Sequence, residues 1–556
     1  MTRPKPAPVR RLRLTVLMIA LAGVSSLLGL FRDQCIARIF GTSAQTDAFL
    51  VAWSVPDTVT PLLLDGALVL LLVPVFARAL AEDRSIQPAV RATLASYCLA
   101  LVGLTGLVAA AAPVLVHLFT PGLADPALAV RCLRVAASTV LTLGLAGYLS
   151  AALRTAGRYL PTMTVYIAFN IGVLAMVLGL HRSAGVYAGA LGMALGGVLT
   201  VVVQLHPFLR GASLRRLRLL SPRATTLAVA GILPVASYTI GRHAQTYVER
   251  YYGSGLRPGA ISVLNYAERI GQIPVQAATM LAVVSFPLLA GQAAAGRAGE
   301  LRRGAERDLR MAAYLIAPAV GLFVALAPQV VALLFQRGAF GAAQVAATAA
   351  GLRAYSLGLP GQAMVVVGAV CLSSVTTRSW NLARAAGAGL ALTALADALL
   401  VHRLGVPGLA LGNAAGITLT GGMVIATLRR RLAGFDAAGL LGCTLRCTAA
   451  GVVAGVAGAG CARLPLPAAA AVAVGVLAVA AVYLAATWLA GLDEARQTCR
   501  LVRATATAIA AAAGAIAGRA RCRPARQPAE HPQPAEHWPA DRPGRDLEKA
   551  RQHGSP

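Results

Sequence analysis

Charged residues stand inside two long apolar stretches near the start of this sequence. The stretches lie between Val24 and Pro74 and are joined by a short turn near Gly41–Thr46. A charge at the centre of a bilayer costs roughly 2.5–3.5 kcal/mol on insertion scales, so such residues face protein or a water-filled cavity. The pattern predicts a polar path for a charged substrate, or, alternatively, helix ends anchored at the membrane surface. The residues are Arg32, Asp33, Asp47, Asp57 and Asp65.

The composition is that of a membrane protein. The chain has 556 residues, of which 57% are hydrophobic and 13% are charged, and its mean hydropathy is +0.69. These values predict an all-α polytopic membrane protein. The sequence contains no Walker loop, nucleophile elbow or HExxH motif, and its nine cysteines lack zinc-site spacing. We therefore expect a transporter without a catalytic residue, a metal site or a cofactor.

Fourteen apolar runs are long enough to cross a bilayer, which takes about 20 residues. Prolines inside several runs predict kinked or broken helices. The runs are 14–37, 46–77, 92–118, 127–153, 161–180, 184–209, 224–248, 259–290, 311–335, 343–373, 382–401, 404–428, 439–461 and 466–490.

The basic residues predict the orientation of the chain. With a cytoplasmic N-terminus, the N-terminal tail and the even-numbered loops carry 25 Lys and Arg residues, against seven on the other side. This bias predicts that both termini are cytoplasmic. It also explains the net charge of +29 as a face turned toward anionic lipids, so nucleic-acid binding is not required.

An internal repeat divides the chain. Three pairs of segments recur at offsets of 216, 218 and 220 residues: LFTPGL with LFQRGAF, DAFLVAWSVP with NYAERIGQIP, and GVYAGALGMALGG with GVPGLALGNAAG. An even number of spans per copy gives a parallel repeat, a common transporter plan. We expect two six-helix lobes plus two further helices. The predicted units are a basic N-terminus (1–13), an N-lobe (14–210), a C-lobe (211–430), spans 13 and 14 (431–495) and a largely disordered basic, Pro-rich cytoplasmic tail (496–556).

The repeat places an arginine of each half near a common axis. Arg32 belongs to the first half, and Arg269 to the NYAERIGQIP segment of the second. Guanidinium groups match phosphate geometry through two parallel hydrogen bonds. We expect the two arginines to bind a phosphate-bearing cargo, and we expect Asp47 and Glu268 to pair with them when no cargo is bound.

Several segments, in this order, resemble the MurJ/MviN family, the proposed lipid II flippases of the multidrug/oligosaccharidyl-lipid/polysaccharide exporter superfamily. The resemblance covers about residues 12–490. It implies two lobes around a cavity that opens alternately to either side of the bacterial cytoplasmic membrane, and a groove for the lipid tail in spans 13 and 14. The implied cargo is an undecaprenyl-pyrophosphate-linked peptidoglycan precursor, with cell-wall synthesis proteins as candidate partners. The segments are LLGLFRDQCIARIFG, TDAFLVAWSVP, LNYAERIGQIP, LLFQRGAF and AYSLGLPGQ.

The resemblance also implies roles for individual residues. Arg32, Asp47 and Arg269 match cargo-site positions, with Glu268 and Asp65 as acidic neighbours. In the C-terminal lobe, Asp397, Thr393 and Asn413 could bind sodium, so that Na⁺ or the membrane potential would drive transport. The sequence departs from the family where Ser26 and Thr60 replace arginines. A cavity with fewer arginines leaves two alternatives open: an exporter of another lipid-linked oligosaccharide or a small molecule, and a membrane scaffold that transports nothing.

Overall fold

The computed structural model describes residues 8–64, 67–83, 85–210, 243–375, 380–462, 465 and 467–498. Every regular element in these ranges is a helix. In the first half they are α1 (Pro8–Phe40), α2 (Ala44–Val59), a π-helical turn (Thr60–Leu64), α3 (Ala67–Asp83), α4 (Gln87–Phe119), α5 (Pro126–Ala136), α6 (Ser138–Thr155), α7 (Leu160–Met163), α8 (Val165–Ala184) and α9 (Tyr187–Leu209). In the second half they are α10 (243–254), α11 (Ala260–Ala294), α12 (Ala298–Phe335), α13 (Ala342–Ser356), α14 (Leu359–Val375), α15 (Trp380–Leu404), α16 (Val406–Arg431), α17 (Ala437–Ala462) and α18 (Ala468–Leu489).

The helices fit a chain that crosses the membrane many times. In the described ranges, ten are long and apolar enough to span a bilayer when α5 and α6 are taken as one helix, or eleven if the bent pair α13 and α14 also forms one span. The three other predicted spans coincide with α1, with α2 to α3, and with 224–248, of which only 243–248 is described. The all-α polytopic class is thus confirmed, and the count is compatible with fourteen spans.

Two of the predicted proline breaks are visible. The second span passes from α2 into a π-helical turn at Thr60–Leu64, where Pro61 lacks the N–H that an α-helix would need at that position. The tenth span bends by 51° between α13 and α14, next to Pro360 in the first turn of α14. The first break lies directly after Asp57, so it helps to set the position of that side chain.

Equivalent turns recur in the two halves. Gly185, between α8 and α9, has φ 57° and ψ −141°, and Gly405, between α15 and α16, has φ 60° and ψ −131°. Both glycines have a positive φ, a backbone conformation that residues with a side chain rarely adopt. These two glycines begin the third repeated segment, so the repeat in the sequence corresponds to a repeat in backbone geometry.

The two largest apolar clusters are each built almost entirely from one half of the chain. One cluster draws all its fully buried members except Ala37 from the second half. A cluster around Phe49 and Trp53 draws all of its own except Ile261 from the first half. Helices α17 and α18 pack on α12, where the Tyr483 hydroxyl donates to the Tyr314 carbonyl at 2.8 Å. The boundaries of the two lobes and the lipid-tail groove remain predictions.

Loops from both halves meet at one end of the helices. The Ala339 N–H donates to the Arg38 carbonyl at 2.8 Å, and the Gly122 N–H donates to the Ser254 hydroxyl at 3.1 Å. We call this region the joined end; it comprises residues 38–43, 120–125, 254–259 and 336–341. Its two repeated segments, LFTPGL and LFQRGAF, each contact the opposite half.

Candidate cargo site and ion site

Arg32 is held in place from three directions. Its side chain belongs to α1 and is buried, with 7% of the residue exposed. Nη1 donates to the side-chain oxygen of Asn170 at 2.7 Å, and Nε and Nη2 donate to one oxygen of Asp33 at 2.9 and 2.7 Å. The guanidinium lies 4.3 Å from the ring centroid of Trp53, a favourable cation–π distance. These partners make burial of the positive charge tolerable.

Arg269 continues this network from the second half. Its Nη2 donates to both carboxylate oxygens of Asp57, at 3.2 and 3.4 Å, and its Nε lies 4.0 Å from the second oxygen of Asp33. Asp57 in turn accepts a hydrogen bond from the Trp53 indole at 3.0 Å. A closed ring of polar contacts therefore joins Arg32, Asp33, Arg269, Asp57 and Trp53.

The two arginines line one cavity of about 230 Å³. Thr60 lies in the same wall, at a position where the family resemblance led us to expect an arginine, and its hydroxyl donates to the Pro56 carbonyl at 2.7 Å. Ser26, at the other such position, is exposed. The other lining residues are Trp53, Pro56, Asp57, Leu64, Leu143, Val165, Tyr166, Phe169 and Asn170.

A second cavity, of about 240 Å³, lies on the other side of the Arg269–Asp57 pair, since both residues line it as well. Amide side chains are common in its wall. Neutral amides both donate and accept hydrogen bonds, which suits a sugar or peptide better than a phosphate. The amides are Gln245, Gln272, Gln276, Gln362 and Asn413.

Asp47 does not belong to either cavity lining. It is buried and accepts from the Gly259 N–H at 2.6 Å, from the Ser262 N–H at 2.7 Å and from the Ser262 hydroxyl. Gly259 is the N-cap of α11. Asp47 therefore satisfies N–H groups at the start of a helix that its own chain reaches more than 200 residues later.

Of the two acids expected to pair with the arginines, Asp47 was the wrong one, whereas Glu268 does interact electrostatically with Arg269. Asp33 and Asp57 bind the guanidinium groups, whereas Asp47 is engaged at the start of α11. Glu268 lines the second cavity together with Arg269. Asp65 lies outside the described residues. A cargo role for any of these residues remains a prediction.

The residues of the expected ion site lie on α15 and α16, and α10 contacts both helices there. Asp397 is fully buried, and neither of its carboxylate oxygens has a hydrogen-bond partner among the described residues. Gly412 packs against it so closely that a Cβ there would lie 1.9 Å from Oδ1. Thr393 accepts from Gln245 at 3.5 Å, and the Asn413 amide donates to Glu249. A buried carboxylate whose two oxygens are unpaired fits a hard, oxygen-liganded cation.

Sequence reasoning missed several polar partners. Asn170 and Gln245 stand inside predicted apolar spans, where a polar residue is a functional candidate by the same argument that selected Arg32. Glu249 directly follows the predicted span 224–248. Trp53 carries no comparable signal, because an aromatic side chain in a membrane helix is most simply explained as packing.

The fold and the site together define a multi-pass membrane transporter with paired guanidinium groups in an internal polar cavity. The family model described as lipid II flippase MurJ matches residues 36–493. The chain therefore belongs to the MurJ family.

Curated relatives agree with this assignment. A lipid II flippase MurJ of Burkholderia cenocepacia is 27% identical over 426 residues, covering 73% of this chain and 82% of the relative. A probable lipid II flippase MurJ of Synechocystis is 25% identical, and the match covers 60% of this chain and 66% of that relative.

Two solved structures share the fold. A MurJ in an inward closed conformation has a TM-score of 0.72 at 18% identity, covering 85% of this chain and 98% of the other. An inward-facing MATE transporter of the MOP superfamily has a TM-score of 0.61 at 14% identity, covering 77% and 99%.

Proposed function

We propose that this protein translocates lipid II across the bacterial cytoplasmic membrane by alternating access. One observation carries the proposal: Arg32 and Arg269, from opposite halves of the chain, line a single internal cavity. Membership of the MurJ family supports the choice of cargo. The substrate class is then an undecaprenyl-pyrophosphate-linked sugar–peptide.

The two cavities suit the two polar parts of such a cargo. The pyrophosphate would lie against the guanidinium groups, which can each form two parallel hydrogen bonds to phosphate oxygens. The amide-lined cavity beyond Arg269 would receive the sugar and peptide. Because Arg269 lines both cavities, one cargo molecule could reach both.

Binding would exchange the partners of the arginines. Without cargo, Asp33 and Asp57 neutralise the two guanidinium groups. A pyrophosphate would compete with these carboxylates, and a freed Asp57 would no longer connect α2 to α11. A ligand shifts a conformational equilibrium only through a difference in affinity for the two states, and this exchange of partners supplies such a difference.

Transport by alternating access also requires the joined end to open. In this structure, hydrogen bonds from Ala339 to Arg38 and from Gly122 to Ser254 cross between the halves there. On the predicted orientation, with both termini cytoplasmic, this end faces away from the cytoplasm. Cargo would therefore enter from the cytoplasmic side, where lipid II is expected, and opening of the joined end would release it.

We further propose that Asp397, Thr393 and Asn413 bind a driving cation, with Na⁺ as the first candidate. A bound Na⁺ would supply the positive charge that the buried Asp397 carboxylate lacks. Gln245 and Glu249 bring α10 into the same region, and Asn413 and Gln245 also line the amide-rich cavity. Ion binding and cargo binding would thus act on shared side chains.

A different cargo on the same scaffold is the second candidate. Thr60 replaces an arginine in the cavity wall, where Asp57 accompanies the two arginines. Asp33 pairs with Arg32 and lies 4.0 Å from Arg269, and Glu268 lines the adjoining cavity. This balance is less favourable for a pyrophosphate than a purely basic cavity. Another lipid-linked oligosaccharide or a small molecule would fit it, and the scaffold alternative predicts no transport at all.

Rescue of growth separates these alternatives. The chain is expressed in a bacterium whose own lipid II flippase can be depleted. A lipid II flippase restores growth, and Arg269→Ala at equal abundance does not. Failure of the unmodified chain to restore growth, although it reaches the membrane, would favour the other cargo or the scaffold. Association with anionic lipids or cell-wall synthesis proteins is a separate proposal, testable by co-purification.

A further inference from the structure

A cavity of about 190 Å³ lies in the first half, apart from Arg32 and Arg269. It is enclosed by α2, α4, α5, α6 and α10, and apolar side chains such as Val55, Val108, Leu133 and Val140 make up most of its wall. For comparison, an engineered apolar cavity of about 150 Å³ stays dry and binds benzene. This space is therefore large enough for part of an apolar ligand.

One cation belongs to this apolar wall. Arg250 lines the cavity and is buried, with 4% of the residue exposed. Its two terminal nitrogens, Nη1 and Nη2, have no hydrogen-bond partner among the described residues. The carboxylates of Asp57, Glu249 and Glu268 are close enough to interact with it electrostatically, but none accepts a hydrogen bond from those nitrogens. A buried guanidinium without such acceptors is costly, unless a ligand provides them.

The sequence does not reveal this site, because Arg250 follows the predicted span 224–248 and is one of the seven basic residues assigned to loops on the side opposite the cytoplasm. The structure places it on α10, with Tyr247 one turn earlier. The Tyr247 hydroxyl shares a hydrogen bond of 2.8 Å with Thr58 of α2 and donates to the Ser54 carbonyl at 3.3 Å. These contacts fix α10 against α2 and so hold Arg250 at the cavity.

The cavity is elongated and reaches the surface that faces lipid. On α4 its lining extends from Leu104 to Phe119, about 22 Å at 1.5 Å per residue. Leu104 is 43% exposed. Only 17% of the residues in the most apolar part of α4 are buried, the lowest share among the candidate spans described. A ligand could therefore enter from the hydrocarbon region past α4.

We propose that this cavity binds the chain of a single-chain anionic amphiphile, with its carboxylate or phosphate on Arg250. The length and apolar lining suit an extended hydrocarbon chain, and the unpaired guanidinium nitrogens suit an anionic head group. A free inorganic anion would lose its hydration without burying any apolar surface. A neutral chain would leave Arg250 without acceptors. This site is separate from the cargo cavity and does not depend on lipid II being the cargo.

Photolabelling of the full-length protein tests the proposal. The protein is placed in nanodiscs of zwitterionic phosphatidylcholine and labelled with a palmitic acid analogue that carries a diazirine in its chain. Oleate, oleyl alcohol and inorganic phosphate serve as competitors, and mass spectrometry locates the labelled peptides. We expect labelling of α2 and α4, with oleate competing about tenfold or more better than oleyl alcohol, as expected for a hydrogen bond between charged groups. Inorganic phosphate should not compete.

Two variants and a control make the result specific. Val108→Phe places a larger side chain in the cavity and should remove the labelling, whereas Val114→Phe, on the exposed face of the same helix, should leave it unchanged. Arg250→Gln should remove the preference for the acid over the alcohol. Labelling that survives Val108→Phe, equal competition by acid and alcohol in the unmodified protein, or competition by inorganic phosphate would each overturn the proposal.

Discussion

Arg269 donates from one nitrogen to both carboxylate oxygens of Asp57, at 3.2 and 3.4 Å. These residues are 212 positions apart, on α11 and α2, so the pair connects the two halves of the chain between two polar cavities. About a third of each side chain is exposed. Partial exposure means that water screens the pair, so its contribution to stability is small, about 1 kcal/mol or less. A weak pair of this kind is suited to exchange with a charged cargo.

This arrangement predicts the effect of removing the carboxylate. Asp57→Asn should leave protein abundance near normal and should raise affinity for lipid II, because Arg269 loses the carboxylate that binds it most closely. The measurement is equilibrium binding of labelled lipid II to the purified protein. Asp436→Asn is a matched control, since Asp436 pairs with Arg310 at 2.7 Å on residues that line neither cavity. Weaker binding by Asp57→Asn would show that Asp57 itself contacts the cargo.

Substitutions of Arg269 separate a cargo role from a structural one. For a cargo role, Arg269→Ala keeps near-normal abundance and abolishes translocation, and Arg269→Lys rescues poorly because an ammonium lacks the two-pronged geometry of a guanidinium. For a purely structural role, Arg269→Ala lowers abundance, and removing Asp57 as well restores both abundance and activity. Arg310→Ala serves as the control at the Asp436 pair. Quantitative immunoblotting of membranes accompanies each transport measurement.

We expect Asp47 to stabilise the fold and not to bind the cargo. Asp47→Ala leaves two N–H groups and a hydroxyl at the start of α11 without their acceptor, which we expect to destabilise the protein by about 2 kcal/mol or more. Asp125→Ala is a graded control, because Asp125 caps α5 through a single hydrogen bond to Leu128 at 2.9 Å, and about 1 kcal/mol is expected there. Thermal unfolding in detergent measures both. If Asp47→Ala unfolds like the unmodified protein but fails to bind lipid II, the cargo role expected from the sequence is the correct one.

Sodium should stabilise the protein through Asp397. A ligand at one hundred times its Kd stabilises the state that binds it by about 2.7 kcal/mol, so the thermal midpoint should rise when NaCl replaces choline chloride at equal ionic strength. Asp397→Asn should abolish this rise, whereas Asp436→Asn should not. An equal rise in the Asp397→Asn protein would exclude Asp397 from the ion site.

The predicted orientation can be tested with single cysteines in a cysteine-free background. From the sequence, Gly122 and Gly338 would be chosen as cysteine positions in the outer loops. A Cβ at Gly122 would lie 2.8 Å from the Ser254 carbonyl oxygen, and Gly338 has φ 59°, so a side chain at either position would be strained. The exposed positions Ala124 and Arg337 at the joined end avoid these strains. Cysteines there should react with an impermeant thiol reagent added outside, and cysteines at Ala295 and Arg430 should not. The reverse pattern would invert the topology.

The sequence predicted the class of fold and the two arginines, but not how the arginines are held. Long apolar runs and charges inside them are local features, so they can be read without a structure. The partners of Arg32 and Arg269 depend on which face of each helix meets its neighbour. Asp33 binds Arg32 on its own helix, and Asp33 and Asp57 reach Arg269 because α1 and α2 converge on α11. Asp47 lies on the same helix as Asp57 yet contacts the start of α11. Arg250 was assigned to a loop because the end of α10 has no sequence signal.

The most direct test of the central claim is the appearance of lipid II on the outer surface of intact cells. The host's own flippase is depleted, this chain is expressed, and an impermeant enzyme that cleaves lipid II is added outside. The account predicts cleavage with the unmodified chain and its loss with Arg269→Ala at equal abundance. Lipid II that stays protected in cells whose membranes contain the unmodified chain would contradict the proposed function.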